Sequence, residues 1–157
     1  MMKKAQFWYA DFLIGLLILV FISILFIKTI TDLNTKEDTI QNLLNDGISI
    51  SNSFMSKGYL SDQWVNTQGR IGIADNGKIN NIDFNNLKAL NYKTSKTLLG
   101  VSNDYAIYIE YTDGSISDWY SKPGIFSISG INSDSIIKVT RFAYYNGRLA
   151  KLVIVVW

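Results

Sequence analysis

The chain reads as an α+β protein, with one long N-terminal helix packed on a small antiparallel β-sheet head that carries one or two short helices. Three observations predict this class. Apolar residues recur at helical spacing through the first third of the chain, and they alternate in runs through the last third. Hydrophobic residues make up 48% of the 157 positions and charged residues only 18%, against about 25% charged in an ordinary soluble domain. The surplus is concentrated at the N-terminus.

The first element is Phe12 to Ile27, which holds no charge. Sixteen residues of helix cover about 24 Å, short of a hydrocarbon core of about 30 Å. The stretch from Ala5 to Ile27 is long enough and contains one acid, Asp11. Trp8 and Tyr9 stand at its start, where amphipathic aromatics favour a membrane interface. Lys3 and Lys4 precede it, so the positive-inside rule puts the N-terminus in the cytoplasm and the chain after Lys28 outside. Residues 7–30 are assigned to a transmembrane or filament-core helix, behind a short basic leader of residues 1–6.

Residues 31–58 continue the helix as an amphipathic stretch, with Ile30, Leu33, Ile40, Leu43, Leu44, Ile48, Ser51 and Met55 at rough 3–4 spacing. The sequence predicts one helix from Phe7 to Lys57, or two if Asn34-Thr35 breaks it. Gly47 inside it costs about 1 kcal/mol. Gly58 is a natural C-terminal stop.

Residues 59–157 form the head. Tyr59 to Asn66 is a turn region carrying Trp64. Arg70 to Ala74 is a short strand, and Asp75-Asn76-Gly77 a turn. Asp83 is an N-cap for a helix over Phe84–Leu90. A second helix runs from Lys93 to Leu99 and closes at Gly100. Phe84, Leu87, Leu90, Leu98 and Leu99 face the core. From Asp104 the period becomes two, giving a strand to Tyr111, a two-residue turn at Asp113-Gly114 and a return over Ser115–Tyr120. A Ser/Gly-rich connection follows Lys122-Pro123-Gly124. Ile136–Tyr145 and Arg148–Trp157 form a hairpin about Asn146-Gly147, a strong type I′ signal. The last strand is apolar on both sides, so both of its faces are buried.

Composition excludes much chemistry. The chain has no Cys and no His, so thiol nucleophiles, disulfides, Cys/His zinc sites and His bases are absent. A net charge of +2 is too small for a nucleic-acid footprint, and none is expected as a partner. No P-loop, dinucleotide fingerprint, nucleophile elbow or EF-hand occurs. Asp75, Asp83 and Asp113 read as turn and cap residues. A calcium site from Asp113 and Asp118 is the one metal alternative. Ser51 and Ser53 near Lys57 read as helix-surface residues rather than a Ser-Lys dyad. Arg141 and Arg148 flank the last hairpin and are candidates to hold a carboxylate between them. No catalytic residue, metal or cofactor is expected, and the protein reads as a non-enzyme.

The N-terminus admits three readings. A cleaved secretory signal needs a small-x-small site after its core, and Lys28-Thr29-Ile30-Thr31 offers none. A plain signal anchor leaves Asp11 unexplained, because a lone carboxylate in an apolar helix costs a few kcal/mol unless paired. In the third reading a very short basic leader is removed ahead of the apolar stretch, which stays on the mature chain.

Lys3-Lys4-Ala5-Gln6 followed by Phe7-Trp8-Tyr9-Ala10-Asp11 resembles the class III signal of archaeal type IV pilins and pilin-like proteins. Cleavage after Ala5 leaves Gln6 first and Asp11 at mature position six. Cleavage after Gln6 leaves Phe7 first and Asp11 at position five. The order of elements resembles the same family, with Gly58-Tyr59 and Trp64, an Ile-Gly-Ile strand over residues 71–73, a helix leading to Tyr92, Leu98-Leu99-Gly100 before a Tyr-rich strand, and a terminal strand ending in Trp157. The resemblance implies a structural subunit, major or minor, of a surface filament. Its helix would pack among helices of other pilin-like subunits, with Asp11 meeting the N-terminal amine of a neighbour. Lys3, Lys4, Ala5, Gln6 and Phe7 would meet the translocation machinery and a prepilin peptidase. Gly15 and Ser23 are small enough to admit close helix approach. The alternative is a monomeric, signal-anchored surface protein with a ligand-binding or adhesive head.

Overall fold

The computed structural model describes residues 3–58 and 71–157, and the side chains from residue 8 onward. The turn region with Trp64 lies outside the described residues, as do Tyr59 and Arg70. The chain forms two compact units, Met1–Thr39 and Ile40–Trp157.

Helix α1 runs unbroken over Lys3–Phe54, so Asn34-Thr35 introduces no break. Five hydroxyls make the same local bond along it. Ser23, Thr29, Thr31, Thr35 and Thr39 each donate to the carbonyl four residues earlier, at 2.8–3.0 Å. The helix thereby satisfies its own hydroxyls, as an apolar setting requires.

In the second unit, the end of α1 buries Leu43, Gly47, Ile50, Ser51 and Phe54, a helical stripe. Its phase differs from the predicted one, since Ile40 and Ile48 are exposed. Gly58 is not the expected left-handed cap. The helix stops at Phe54, and Gly58 lies backbone to backbone with Gly72, where any Cβ would collide with Gly72's main chain. The Ile73 N–H donates to the Phe54 carbonyl at 3.1 Å, tying the next segment to the helix end.

Strands β1 (Ala74–Asp75) and β2 (Lys78–Ile79) form a tight hairpin. Its Asn76-Gly77 turn has both residues at positive φ, the I′ geometry. Ile71, Gly72 and Ile73, read as strand, are buried but precede β1. Helix α2 covers Asn81–Ala89 and is capped by Asn80, whose side chain accepts from the Ile82 N–H. Asp83 is therefore a first-turn acid rather than the cap. Helix α3 (Tyr92–Leu99) begins at Asn91 and ends at Gly100 in the left-handed region, as read. Phe84, Leu87 and Leu99 are buried, with Leu90 and Leu98 packed beside them.

Strands β3 (Tyr105–Tyr111), β4 (Ile116–Ser121), β5 (Ile137–Tyr145) and β6 (Arg148–Val156) complete a six-stranded sheet of order β1-β2-β5-β6-β3-β4. The expected all-antiparallel sheet is corrected to a mixed one, because β2 joins β5 in parallel at Lys78 and Tyr144. The β3–β4 turn is also one residue longer than read. Tyr111 pairs with Ser115, so Thr112, Asp113 and Gly114 form a three-residue loop with Gly114 at positive φ. The Asn146-Gly147 turn is the predicted I′ type.

Leu152, Val153, Ile154, Val155 and Val156 are at most 1% exposed, as the doubly apolar strand requires. One face of β6 joins the core with α1, α2 and α3. The other forms a smaller cluster of Tyr108, Val153 and Val155 with Trp119, Ile131 and Trp157. The Ser/Gly-rich loop of residues 122–136 supplies Ile131 and so covers this second face.

Candidate functional site

In the first unit the N-terminal helix presents its apolar side chains outward. Every described residue from Trp8 to Asn42 is exposed. Trp8 and Tyr9 are 81% and 67% exposed. Asp11 has no hydrogen-bond or ion-pair partner among the described residues, and no atom outside the helix lies where a Cβ on Gly15 would sit. Ser23 spends its proton on the Leu19 carbonyl. Lys3, Lys4, Ala5, Gln6 and Phe7 are helical, and their side chains lie outside the described ones.

Among the described residues one helix is long and apolar enough to span a membrane. No protein-family model, curated protein or solved structure matches the chain. The span therefore rests on physical grounds. Apolar side chains from Phe12 to Ile27 are 38–67% exposed, and a continuous apolar surface of this kind calls for lipid or other protein.

Several polar side chains of the head satisfy one another. Tyr105 and Tyr120 hydroxyls both meet Ser95 Oγ at 2.7 Å, and the Tyr120 hydroxyl also reaches the Leu90 carbonyl. The Tyr92 ring lies tilted against that of Tyr105 at 5.2 Å between centroids, and its hydroxyl accepts from the Tyr105 N–H at 2.8 Å. Burial pushes the Tyr92 and Tyr105 phenols well above their ordinary value. Asp104 takes Lys96 at 2.9 Å and Lys122 at 2.6 Å. Burial alone would raise the Asp104 carboxyl, but hydrogen bonds from Lys122 and Lys96 outweigh it and hold the group below its usual value. This cluster locks α3 onto β3 and β4.

Asp46 is a residue the sequence reading passed over. Its Oδ2 accepts from the Ser102 and Asn103 backbone N–H groups at 3.1 and 3.0 Å, and from Asn103 Nδ2 at 2.9 Å. It binds α1 to the loop that enters β3. No motif marks it, because its partners lie more than fifty residues away.

Other candidates separate. Arg141 and Arg148 share no carboxylate among the described residues. Arg141 Nε donates to Ser51 Oγ at 2.7 Å and its Nη2 reaches Asn52 at 3.3 Å, so it fixes β5 to the helix. Ser51 is thus a buried partner of arginine rather than a surface residue, and Lys57 pairs with Asp75 at 3.2 Å. Asp113 and Asp118 are engaged apart. Asp113 takes the Ser115 N–H and hydroxyl, while Asp118 takes Lys88, Tyr145 and Ser117. Among the described residues no three carboxylates gather as metal ligands. An open pocket of about 490 Å³ is lined by Lys78, Ile79, Tyr144, Asn146 and Gly147.

Proposed function

We propose that the chain is a pilin-like structural subunit of a surface filament, held in the membrane by α1 before assembly. The observation that carries this reading is the N-terminal span. It is apolar and outward-facing, with a single acid, Asp11, that has no partner among the described residues. It continues as one helix into the segment that packs on the head's sheet. In a monomeric anchor Asp11 would remain an uncompensated cost. In an assembly it meets the N-terminal amine of a neighbouring subunit, and pairing offsets most of the burial cost. Gly15 and Ser23 admit close approach of neighbouring helices, where packing rather than hydrophobic drive sustains association. Lys3 and Lys4 hold the N-terminus on the cytoplasmic side, and the head faces outward. A prepilin peptidase acts at Ala5 or Gln6.

N-terminal sequencing of the protein from membranes and from shed filaments tests this. A start at Gln6 or Phe7 supports the reading; a start at Met1 refutes it. Asp11→Ala is expected to leave membrane insertion intact and to abolish filaments. Unchanged filament yield in that variant would remove the role assigned to Asp11.

A further inference from the structure

Strand β5 has an open edge. Its ladder with β6 runs without interruption from Ile137–Val156 to Tyr145–Arg148. On the other side β2 reaches it only at Tyr144, whose N–H donates away from β6 to the Gly77 carbonyl at 2.8 Å. Main-chain groups alternate in direction along a strand, so those of Lys138, Thr140 and Phe142 point to the same outer side as those of Tyr144. Among the described residues, the N–H and C=O groups of these three residues have no hydrogen-bond partner. No proline and no bulge interrupts the segment, and these are common devices by which sheet edges avoid pairing.

Exposed apolar side chains flank this edge on both faces of the sheet. Ile137 and Val139 turn inward to the core, so Lys138, Thr140 and Phe142 turn to the opposite face. Phe142 is 66% exposed there. On the inner face, bonds fix which side of α1 lies along β5. Asp46 holds one flank of the helix to the loop before β3, and Ser51 and Asn52 hold the other to Arg141 of β5. Ile48 precedes Ser51 and Asn52 by three and four residues, which puts it on the β5 flank, and it is 41% exposed. Unpaired main-chain groups between two exposed apolar side chains match a strand that presents the same features.

We infer that β5 of a second copy pairs antiparallel with this edge, about a two-fold axis at Thr140. The edge is self-complementary in that register. Thr140 meets Thr140, and Lys138 of each copy meets Phe142 of the other, so every main-chain group of the three residues gains a partner. Thr–Thr pairs and a lysine beside an aromatic ring are favourable cross-strand neighbours. Other registers are worse. An axis at Lys138 sets two lysines opposite each other, and one at Arg141 two arginines, which destabilises. An axis at Phe142 opposes Thr140 to Tyr144, whose N–H is already given to Gly77. An axis at Val139 opposes Phe142 to Ile136, which precedes the strand. The contact is isologous, so it closes at a dimer. It uses only head residues, goes beyond helix packing and does not depend on the filament reading.

The chain has no cysteine, which permits a direct test on the full-length protein in membranes, with copper phenanthroline as oxidant. Thr140→Cys brings two thiols into a hydrogen-bonded pair with Cα atoms about 5.5 Å apart, within disulfide reach. It is expected to give a dimer and nothing larger. Lys138→Cys or Phe142→Cys alone leaves like thiols four residues out of register, about 13 Å apart, and stays monomeric. These two variants expressed together, with different tags, cross-link to each other. Adding Thr140→Pro to both removes an N–H that the monomer leaves unbonded, and cuts that cross-link about tenfold or more. Thr140→Asp in the same pair, which opposes two carboxylates without altering the main chain, gives a loss in the same direction. Tryptophan fluorescence reports that the head stays folded. A monomeric Thr140→Cys overturns the inference, as does a Lys138→Cys dimer of equal yield. Cross-linking that survives in either folded Thr140 variant also overturns it. Thr140→Cys joined to a different protein shows that the edge serves another partner and overturns the self-pairing.

Discussion

Gly47 makes the docking of α1 on the sheet testable at a single atom. A Cβ at this position would stand 2.9 Å from Val139 Cγ2 and 3.5 Å from Val156 Cγ2. Val139 is β-branched and lies on a strand, so its χ1 has little freedom to move the methyl aside. Gly47→Ala therefore has two opposed effects. Ala gains about 1 kcal/mol of helix propensity over Gly. Forcing a methyl into a filled contact costs about 1–3 kcal/mol. The net expectation is destabilisation by about 1 kcal/mol, or a Tm lowered by about 2–4 °C for a chain of this size. In a Val139→Ala background the obstructing methyls are gone. Gly47→Ala should there become stabilising by about 1 kcal/mol, giving a coupling of about 2 kcal/mol. The assay is urea unfolding of the four proteins of the cycle in mild detergent, followed by fluorescence of Trp119 and Trp157 in the smaller cluster. A stabilising Gly47→Ala in the parent chain, or an equal penalty in both backgrounds, would refute the packing argument.

Asp46→Ala should cost about 2 kcal/mol, because two backbone N–H groups lose a charged acceptor. Amide exchange at Ser102 and Asn103 should speed up selectively, and uniform acceleration across the head would contradict the local role. Asp104 has a lowered folded-state pKa, so its contribution is fully present above the unfolded value of about 3.9 and is lost as pH falls through the lower folded value. Stability should drop as pH falls below about 3.9, and Asp104→Asn should flatten that part of the profile in acid-unfolding curves. The Tyr92, Tyr105 and Tyr145 phenols are raised, chiefly by burial. Their contribution is present below about pH 10 and is lost above it. Phenolate absorbance from these three should appear only with cooperative alkaline unfolding, and independent titration of Tyr105 before unfolding would show that it is not buried as described.

Local chemistry made much of the fold legible. The apolar run of residues 12–27 and its single acid follow from composition alone. Asn76-Gly77 and Asn146-Gly147 form I′ turns because positive φ is cheap for those residues. Gly100 ends α3 for the same reason. The doubly apolar β6 announced cover on both faces, and the core with α1 on one side and the Ile131 loop on the other supply it. The misread details were those in which several residues offer the same local service. Asn80 and Asp83 can both cap a helix, and the Asn80 side chain is the one that accepts from the Ile82 N–H. Asp113-Gly114 suits a two-residue turn, but the pairing of Tyr111 with Ser115 makes the loop three residues long.

Sequence by itself determined the membrane-length helix, the absence of Cys and His chemistry, the alternating strands and most turns, because each depends on residues within one or two turns of chain. Tertiary structure alone decided what distant residues do for one another. Gly47 and Gly58 read locally as a tolerated defect and a helix stop. In three dimensions they are points of close approach, to Val139 and to Gly72. Arg141 finds Ser51, Asp46 finds the loop before β3, and β2 joins β5 in parallel, each across more than fifty residues. Such pairings are set by how the sheet and helix pack around a shared core. A one-dimensional pattern records the spacing that buries a side chain, but not the partner that its neighbours bring to it.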